Sequence, residues 1–322
     1  MHAATLLGLL ATLAANPSVP IHTSEQVRVT CNDAVNKVPE RFRLTSHTFR
    51  AELAPKFDLP HSDVDVTSVQ FPSPVQTPHT VNNTVYAEFF RPKKPGKFPA
   101  VIVLDILDGQ QIVSRGEALW LAQHDIAALV VILPYYGPRR PTEGRLRLLS
   151  TDVNKSVENI TQGVLDCRRA AAWLAMQPCV DREKLGVVGT SLGSFIGGLV
   201  AASEPSVRSA CLLLGGGGLV DAFYDHPSAT SVVRLMAMFG LTKDTLRPYI
   251  DPADPLTYAD QLRGKRLLLI AASRDEVVPP VAMRRLWEAT GKPKIVWYDS
   301  THVGAALYAF PVMKEVITHM KQ

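Results

Sequence analysis

Several familiar signatures are missing from this chain, and each absence removes a class of function. There are four cysteines, Cys31, Cys167, Cys179 and Cys211. None is in C-x-x-C spacing and none stands beside a histidine ladder, so no zinc site or redox motif is implied. Cys167 lies in a stretch with helical patterning that ends near Met176, about 13 Å further on. The residues that follow reach back only about 10 Å, so a Cys167–Cys179 bridge needs the chain to double straight back. The four are read as small buried thiols. No H-E-x-x-H or EF-hand pattern occurs. Gly215-Gly216-Gly217-Gly218 fits neither a dinucleotide fingerprint nor a phosphate-binding loop, because position 220 is valine. No metal and no cofactor is expected. Charge of one sign is also scarce in excess, with 34 Lys+Arg against 30 Asp+Glu. The one basic cluster, Arg139, Arg140, Arg145 and Arg147, has no nucleic-acid module around it, so nucleic acid is not an expected partner. Repeats, low-complexity tracts and membrane-length apolar runs are absent as well. What remains is 322 residues, 46% hydrophobic and 20% charged, the composition of a globular chain.

The first residues, Met1 to Asn16, are mostly apolar or small. They are too few to span a bilayer but match the apolar core of a secretory leader, with small residues near position 14 or 15 for cleavage. The positive n-region is missing, and the alternative is an N-terminal arm. The expectation is a leader over 1–15, giving a secreted or periplasmic protein, or a cytoplasmic one if the segment is no leader. Residues 16–63 are mixed and polar and read as an extension wrapped around the core. From residue 64 to 322 short β-branched runs alternate with helical patterns, the mark of a largely parallel sheet covered by helices.

Eight strands are predicted, at 64–71, 84–90, 100–105, 127–133, 185–189, 210–214, 266–271 and 294–298. The first two have polar interruptions and an Asn82-Asn83 turn between them, suggesting an antiparallel hairpin at a sheet edge. The other six are nearly continuous apolar runs, as strands buried on both faces require. Helices are predicted at 115–123, 153–176, 192–202, 282–289 and 304–320, the last kinked or interrupted at Pro311. The connection from Leu214 to Arg266 is far longer than a crossover needs. Residues 219–262 are therefore read as a lid insertion, with an amphipathic helix over 229–240.

Gly189-Thr190-Ser191-Leu192-Gly193 matches G-x-S-x-G and falls directly between a buried strand and a helix. In that context the glycines permit a strained turn from which the Ser191 hydroxyl projects, with the Leu192 amide at a helix N-terminus facing a forming oxyanion. A serine hydroxyl needs a base. Downstream histidines are His226, in the lid segment, His302, just after the last strand, and His319, near the C-terminus. His302 is the candidate base. Asp275, on the loop after strand 266–271, is the candidate that orients its imidazole, with Glu276 as the alternative. The second oxyanion amide would come from Ile106 or Leu107. Asp105 beside them is a warning, because an unpaired carboxylate there opposes negative charge. Tyr135 and Tyr136 are candidate walls of the substrate pocket, with Arg139 and Arg140 drawing acidic substrates; a packed turn with solvated arginines is the equal alternative.

The elbow, the order Ser191, Asp275, His302, and the loop Asp275-Glu276-Val277-Val278-Pro279 together resemble the α/β-hydrolase superfamily over about residues 100–320. The segments 99–104 and 275–302 resemble the branch of dienelactone hydrolases and acetyl xylan esterases. Where dienelactone hydrolases carry a cysteine nucleophile, this chain has Ser191. The resemblance implies an α/β-hydrolase fold and ester hydrolysis by the serine route. A serine peptidase of the same fold is a rival reading, less favoured because no propeller-length domain precedes the core. A catalytically inactive fold used for binding is a second rival, kept alive by Asp105. The small lid leads to an expectation of short acyl groups, acetyl to butanoyl.

Overall fold

The computed structural model describes residues 23–57, 62–143, 146–150, 152–225 and 242–322. The leader segment, His226 and the 229–240 helix lie outside the described residues. A single ten-stranded sheet runs through the molecule in the order β1-β2-β3-β4-β6-β5-β7-β8-β9-β10. β1 (Thr23–Val29), β2 (His47–Phe57), β3 (Val64–Pro72) and β4 (Thr84–Pro92) form an antiparallel run, and β4 pairs antiparallel with β6 (Ala127–Val131). β5 (Phe98–Leu104), β6, β7 (Val180–Thr190), β8 (Val207–Leu213), β9 (Arg266–Ala272) and β10 (Lys294–Tyr298) are parallel.

Burial explains which strands were legible. Every residue of β6 is buried, and so are all but the first of β9, so both read as unbroken apolar runs. In β1 only Val27 and Val29 are buried. The expected count of eight strands is therefore corrected to ten, because the segment read as a wrapping extension supplies β1 and β2. Contacts far along the chain hold it there: Arg168 grips Asp33 with two bonds of 2.7 and 2.8 Å, and Trp173 Nε1 donates to Glu25 at 2.8 Å. The β3–β4 hairpin is present, but it lies inside the sheet, since β1 and β2 extend beyond it.

Among the described residues the helices are α1 (Ile112–Gln123), α2 (Val153–Met176), α3 (Leu192–Ser203), α4 (Leu219–Tyr224), α5 (Lys243–Ile250), α6 (Ala259–Arg263), α7 (Pro280–Ala289) and α8 (Ala309–Lys321). Successive residues of β5 alternate between the two faces. Ile102 and Leu104 pack into a core with α2, α3 and α7, while Val101 and Val103 pack with α1 and α8. Pro311 sits in the first turn of α8, where its missing N–H costs nothing, and the break falls earlier, between a 3₁₀ turn at Val303–Tyr308 and α8. All four cysteines are free thiols; Cys167 and Cys211 are fully buried, and Cys31 and Cys179 are partly so. No helix among the described residues is long and apolar enough to cross a membrane.

The connection from β5 through α1 leads to β6 on one side, and that from β6 through α2 leads to β7 on the other. The strand order thus reverses at β5. A reversal of this kind opens a crevice beyond the carboxyl ends of the neighbouring strands, where a ligand can enter. Those ends carry Asp105 and Ser191.

Candidate active site

Ser191 occupies the one-residue gap between β7 and α3, with φ 53° and ψ −115°. A non-glycine residue in such a conformation costs about 1–3 kcal/mol and is held only by its surroundings. The glycines on either side are what make it possible. A Cβ on Gly189 would run into the Gly193 carbonyl, and one on Gly193 would run into the Leu104 carbonyl of β5. The Ser191 amide is tied to the Leu213 carbonyl at 2.8 Å, which anchors the turn to β8.

Asp275 and His302 arrive from two adjacent strands. The loops after β9 and β10 are stitched together by Ser273 N donating to Tyr298 O at 2.9 Å and Arg274 N to Ser300 O at 3.0 Å. The result brings the three sequence candidates into one chain of contacts. His302 Nε2 stands 3.0 Å from Ser191 Oγ, and His302 Nδ1 stands 2.7 Å from Asp275 Oδ2. Asp275 is 5% exposed, and its other oxygen accepts the amides of Val277 and Val278 at 2.9 and 2.7 Å. Those two amides fix the carboxylate's direction. Glu276, the alternative, accepts from the His302 backbone amide at 3.2 Å and so braces the loop instead of the ring. His319 lies at the far end of β9, where Nε2 meets the Arg266 carbonyl at 3.2 Å, and burial lowers its pKa.

Leu192 opens α3, so its N–H belongs to the first turn, which has no intrahelical acceptor. Leu192 itself is buried, while Ile106 and Leu107 line the cavity in front of Ser191. Asp105 does not confront that position unpaired. Its carboxylate accepts the Gln111 amide at 2.6 Å and the Ser114 amide at 3.2 Å, capping the start of α1, and the Ile106 amide also stabilises it. Burial still raises its pKa. The loop between them is wound through positive φ at Asp108 (52°), Gln110 (50°) and Gln111 (63°).

The two tyrosines take other places than expected. Neither lines the cavity at Ser191. Tyr136 is 3% exposed, and its hydroxyl accepts the Asp108 amide at 3.1 Å, propping the loop from behind. Burial pushes that phenol up to about 12. Tyr135, at φ 63°, borders a separate cavity with His79. Arg140 and Arg147 bind the Asp108 carboxylate at 2.9 and 2.7 Å, and Arg139 is buried on Asp166. Arg139 is thus internal, while Arg140 and Arg147 remain largely exposed as they pair with Asp108.

The cavity beside Ser191 measures about 590 Å³ and is walled mainly by apolar side chains, among them Ile106, Trp120, Leu214, Ile270 and Met313. The described residues of the 219–262 insertion do not line it; the 303–313 segment does. Glu117 of α1 also lines this cavity, and the sequence reading did not single it out. Its signal was present: Ser114 and Glu117 share the buried stripe of α1 with Ala118 and Leu121, two polar residues on a face that otherwise packs.

Comparison with known proteins adds the family context. The prolyl oligopeptidase family matches residues 156–294, a region holding Ser191 and Asp275 but ending before His302. An uncharacterised protein of Mycobacterium tuberculosis is 28% identical over 240 residues, covering 70% of this chain and 54% of its own length. The chain thus spans about half the length of the curated relatives it matches. An acetyl xylan esterase from Paenibacillus superposes with a TM-score of 0.61 at 17% identity, covering 98% of this chain and 94% of that one. A proposed dienelactone hydrolase of Klebsiella pneumoniae gives 0.54 at 19% identity over 80% of this chain and 99% of its own. The chain has the α/β-hydrolase fold, and its structure is similar to those of an acetyl xylan esterase and a dienelactone hydrolase.

Proposed function

We propose that this protein is a serine hydrolase that cleaves carboxylic esters through an acyl-enzyme. The observation that carries the reading is the relay of 3.0 Å from Ser191 Oγ to His302 Nε2 and 2.7 Å from His302 Nδ1 to Asp275. Ser191 attacks the ester carbonyl while His302 takes the hydroxyl proton, then returns it to the departing alcohol. Asp275 holds the ring in the tautomer with Nδ1 protonated and stabilises the imidazolium. Water, deprotonated by the same imidazole, releases the acid. The Leu192 amide, with that of Ile106 or Leu107, faces the oxyanion; each such donor contributes roughly 3–4 kcal/mol to the barrier reduction.

The cavity supports a larger acyl group than the sequence suggested. An acetyl or butanoyl chain would leave most of about 590 Å³ of apolar space empty. Each methylene that finds such a pocket adds roughly 1 kcal/mol or more to transition-state binding. The substrate is therefore read as an ester of a medium-length or bulky apolar acid. The prolyl oligopeptidase match favours a second reading, in which an amide is cleaved by the same groups. The N-terminal apolar segment is carried as an export leader, for which exported protein should begin near Asn16.

The deciding experiment pairs a fluorophosphonate probe with two substrate series. Intact mass should show a single adduct, mapped to Ser191. Nitrophenyl esters from acetyl to decanoyl should turn over with an optimum beyond butanoyl, while aminoacyl and prolyl nitroanilides should not. No adduct and no turnover would overturn the hydrolase reading. Nitroanilide cleavage exceeding ester cleavage would transfer it to the peptidase.

A further inference from the structure

The same cavity holds one group that packing does not account for. Its walls are apolar, an environment that penalises any polar atom left without a partner. Glu117 is nevertheless built into it, 9% exposed. Oε1 accepts a hydrogen bond from Thr190 Oγ1 at 2.7 Å, whereas Oε2 is buried with no hydrogen-bond partner among the described residues.

Other buried carboxylates in this chain are treated differently. Glu88 is held by Lys56 and by Nε and Nη2 of Arg115. Asp254 takes the amides of Gly218 and Leu256 on one oxygen and Leu219 on the other. Asp166 receives Ser73 on one oxygen and Arg139 on the other. The fold therefore satisfies both oxygens of carboxyls that serve structure, and leaves one of Glu117's buried and unpartnered in the wall of the cavity beside Ser191. Among the described residues no cation acts on it; the charge that does is Asp105, of the same sign. Burial and that neighbour raise the carboxyl to about 8, so at neutral pH it carries a proton and has one hydrogen to donate.

We propose that Glu117 is a specificity-determining residue whose carboxyl donates a hydrogen bond to an oxygen acceptor, a keto or ether oxygen, on an otherwise apolar acyl group. The proposal rests on the esterase reading and deepens it. The substrate class is esters of oxo- or alkoxy-substituted apolar acids. Because Glu117 is bonded to Thr190, the neighbour of Ser191, the acceptor belongs within a few bonds of the ester carbonyl. A plain alkyl chain would fill the cavity and leave the donor unpaired. Sites built to hydrogen-bond a substrate reject analogues that lack the partner far more strongly than apolar pockets distinguish chain lengths.

The test compares nitrophenyl octanoate with octanoates bearing a keto group at the fourth, fifth or sixth carbon, at pH 7. The wild type should prefer the best keto ester by about tenfold or more in kcat/KM. Glu117→Gln, which still donates an N–H, should keep a preference. Glu117→Leu should reverse it, gaining on octanoate while losing on the keto ester. A purely structural role would lower both substrates together. Calorimetric binding of the same esters to Ser191→Ala reads the preference without turnover, so a failed esterase reading and a failed Glu117 proposal are separable. Tighter binding of a keto ester with no wild-type turnover would keep the proposal and remove the esterase. Wild-type keto and plain esters within twofold of each other, in turnover and in binding, would overturn it.

Discussion

Two polar clusters sit at the carboxyl ends of β6 and β7, with β5 between them, and they are built on opposite principles. Around Arg139 every polar group is spoken for. The guanidinium donates to Asn82 O, Ile132 O and Asp166, while Asn82 donates to Gln162 and accepts the Tyr135 amide. Around Ser191 the groups are left able to act: a hydroxyl against an imidazole, the first amide of α3, and a carboxyl with one open oxygen. Both clusters contain a strained residue, Tyr135 at φ 63° and Ser191 at φ 53°. Strain therefore does not tell them apart, and neither does burial of charge. Incomplete satisfaction of polar atoms does.

The comparison breaks first at Ser191. Ser191→Ala should fold normally and lose ester turnover by on the order of a million-fold in kcat. His302→Ala should be nearly as damaging, and the double variant should add little. A residual tenth of wild-type kcat, or additive losses, would contradict the assigned relay.

The next effect belongs to the satisfied cluster. Arg139→Met leaves Asp166 buried without its partner, which costs about 3–5 kcal/mol in comparable pairs. Denaturant unfolding should show that loss, while fluorophosphonate labelling of the folded fraction continues at close to the wild-type rate. An unchanged midpoint would mean that the cluster is not the scaffold described here.

Glu117 should leave its mark on stability as well as on specificity. Its carboxyl is raised from 4.5 to about 8 in the folded protein. The folded state therefore keeps a proton that the unfolded chain releases, so this group favours folding least at high pH. Its contribution falls as pH rises from about 4.5 to 8 and levels off above, by on the order of 4 kcal/mol. Asp105, Asp166 and Asp254, also raised, act in the same direction in both proteins. Glu117→Gln removes one share of the slope. The difference in unfolding free energy between pH 5 and pH 8 should be smaller in the variant, and parallel curves would refute the shift.

The smallest change sharpens the role of Tyr136. Tyr136→Phe deletes the acceptor of the Asp108 amide behind the loop that carries Ile106 and Leu107. A loss of about 1 kcal/mol of stability is expected, together with a several-fold fall in kcat at nearly constant KM. A rise in KM with kcat unchanged would return the tyrosine to the substrate wall.

How much of this was legible follows from the range of each interaction. The elbow is local: two glycines and a serine within five residues dictate a strand–turn–helix junction. The parallel strands announce themselves because burial on both faces makes them apolar throughout. The strand ends then leave Asp275 and His302 on short loops, so all three members of the relay could be named from order and position. β1 and β2 could not, because only five of their eighteen residues are buried and their anchors, Arg168 and Trp173, lie more than a hundred residues away. Nor could the roles of Tyr136 and Glu117 be read. An aromatic after a strand and a glutamate in a helix look alike whether they face substrate, water or another loop. Only the packing of α1 against the sheet put Glu117 beside Thr190, and only the turn after β6 set Tyr136 under Asp108. The sequence by itself determined which serine, histidine and aspartate the fold brings into contact and the sheet that presents them, because those rest on local backbone sterics and unbroken apolar runs. The tertiary structure decided the size and polarity of the cavity, because a cavity is the space left between elements whose contacts no single segment encodes.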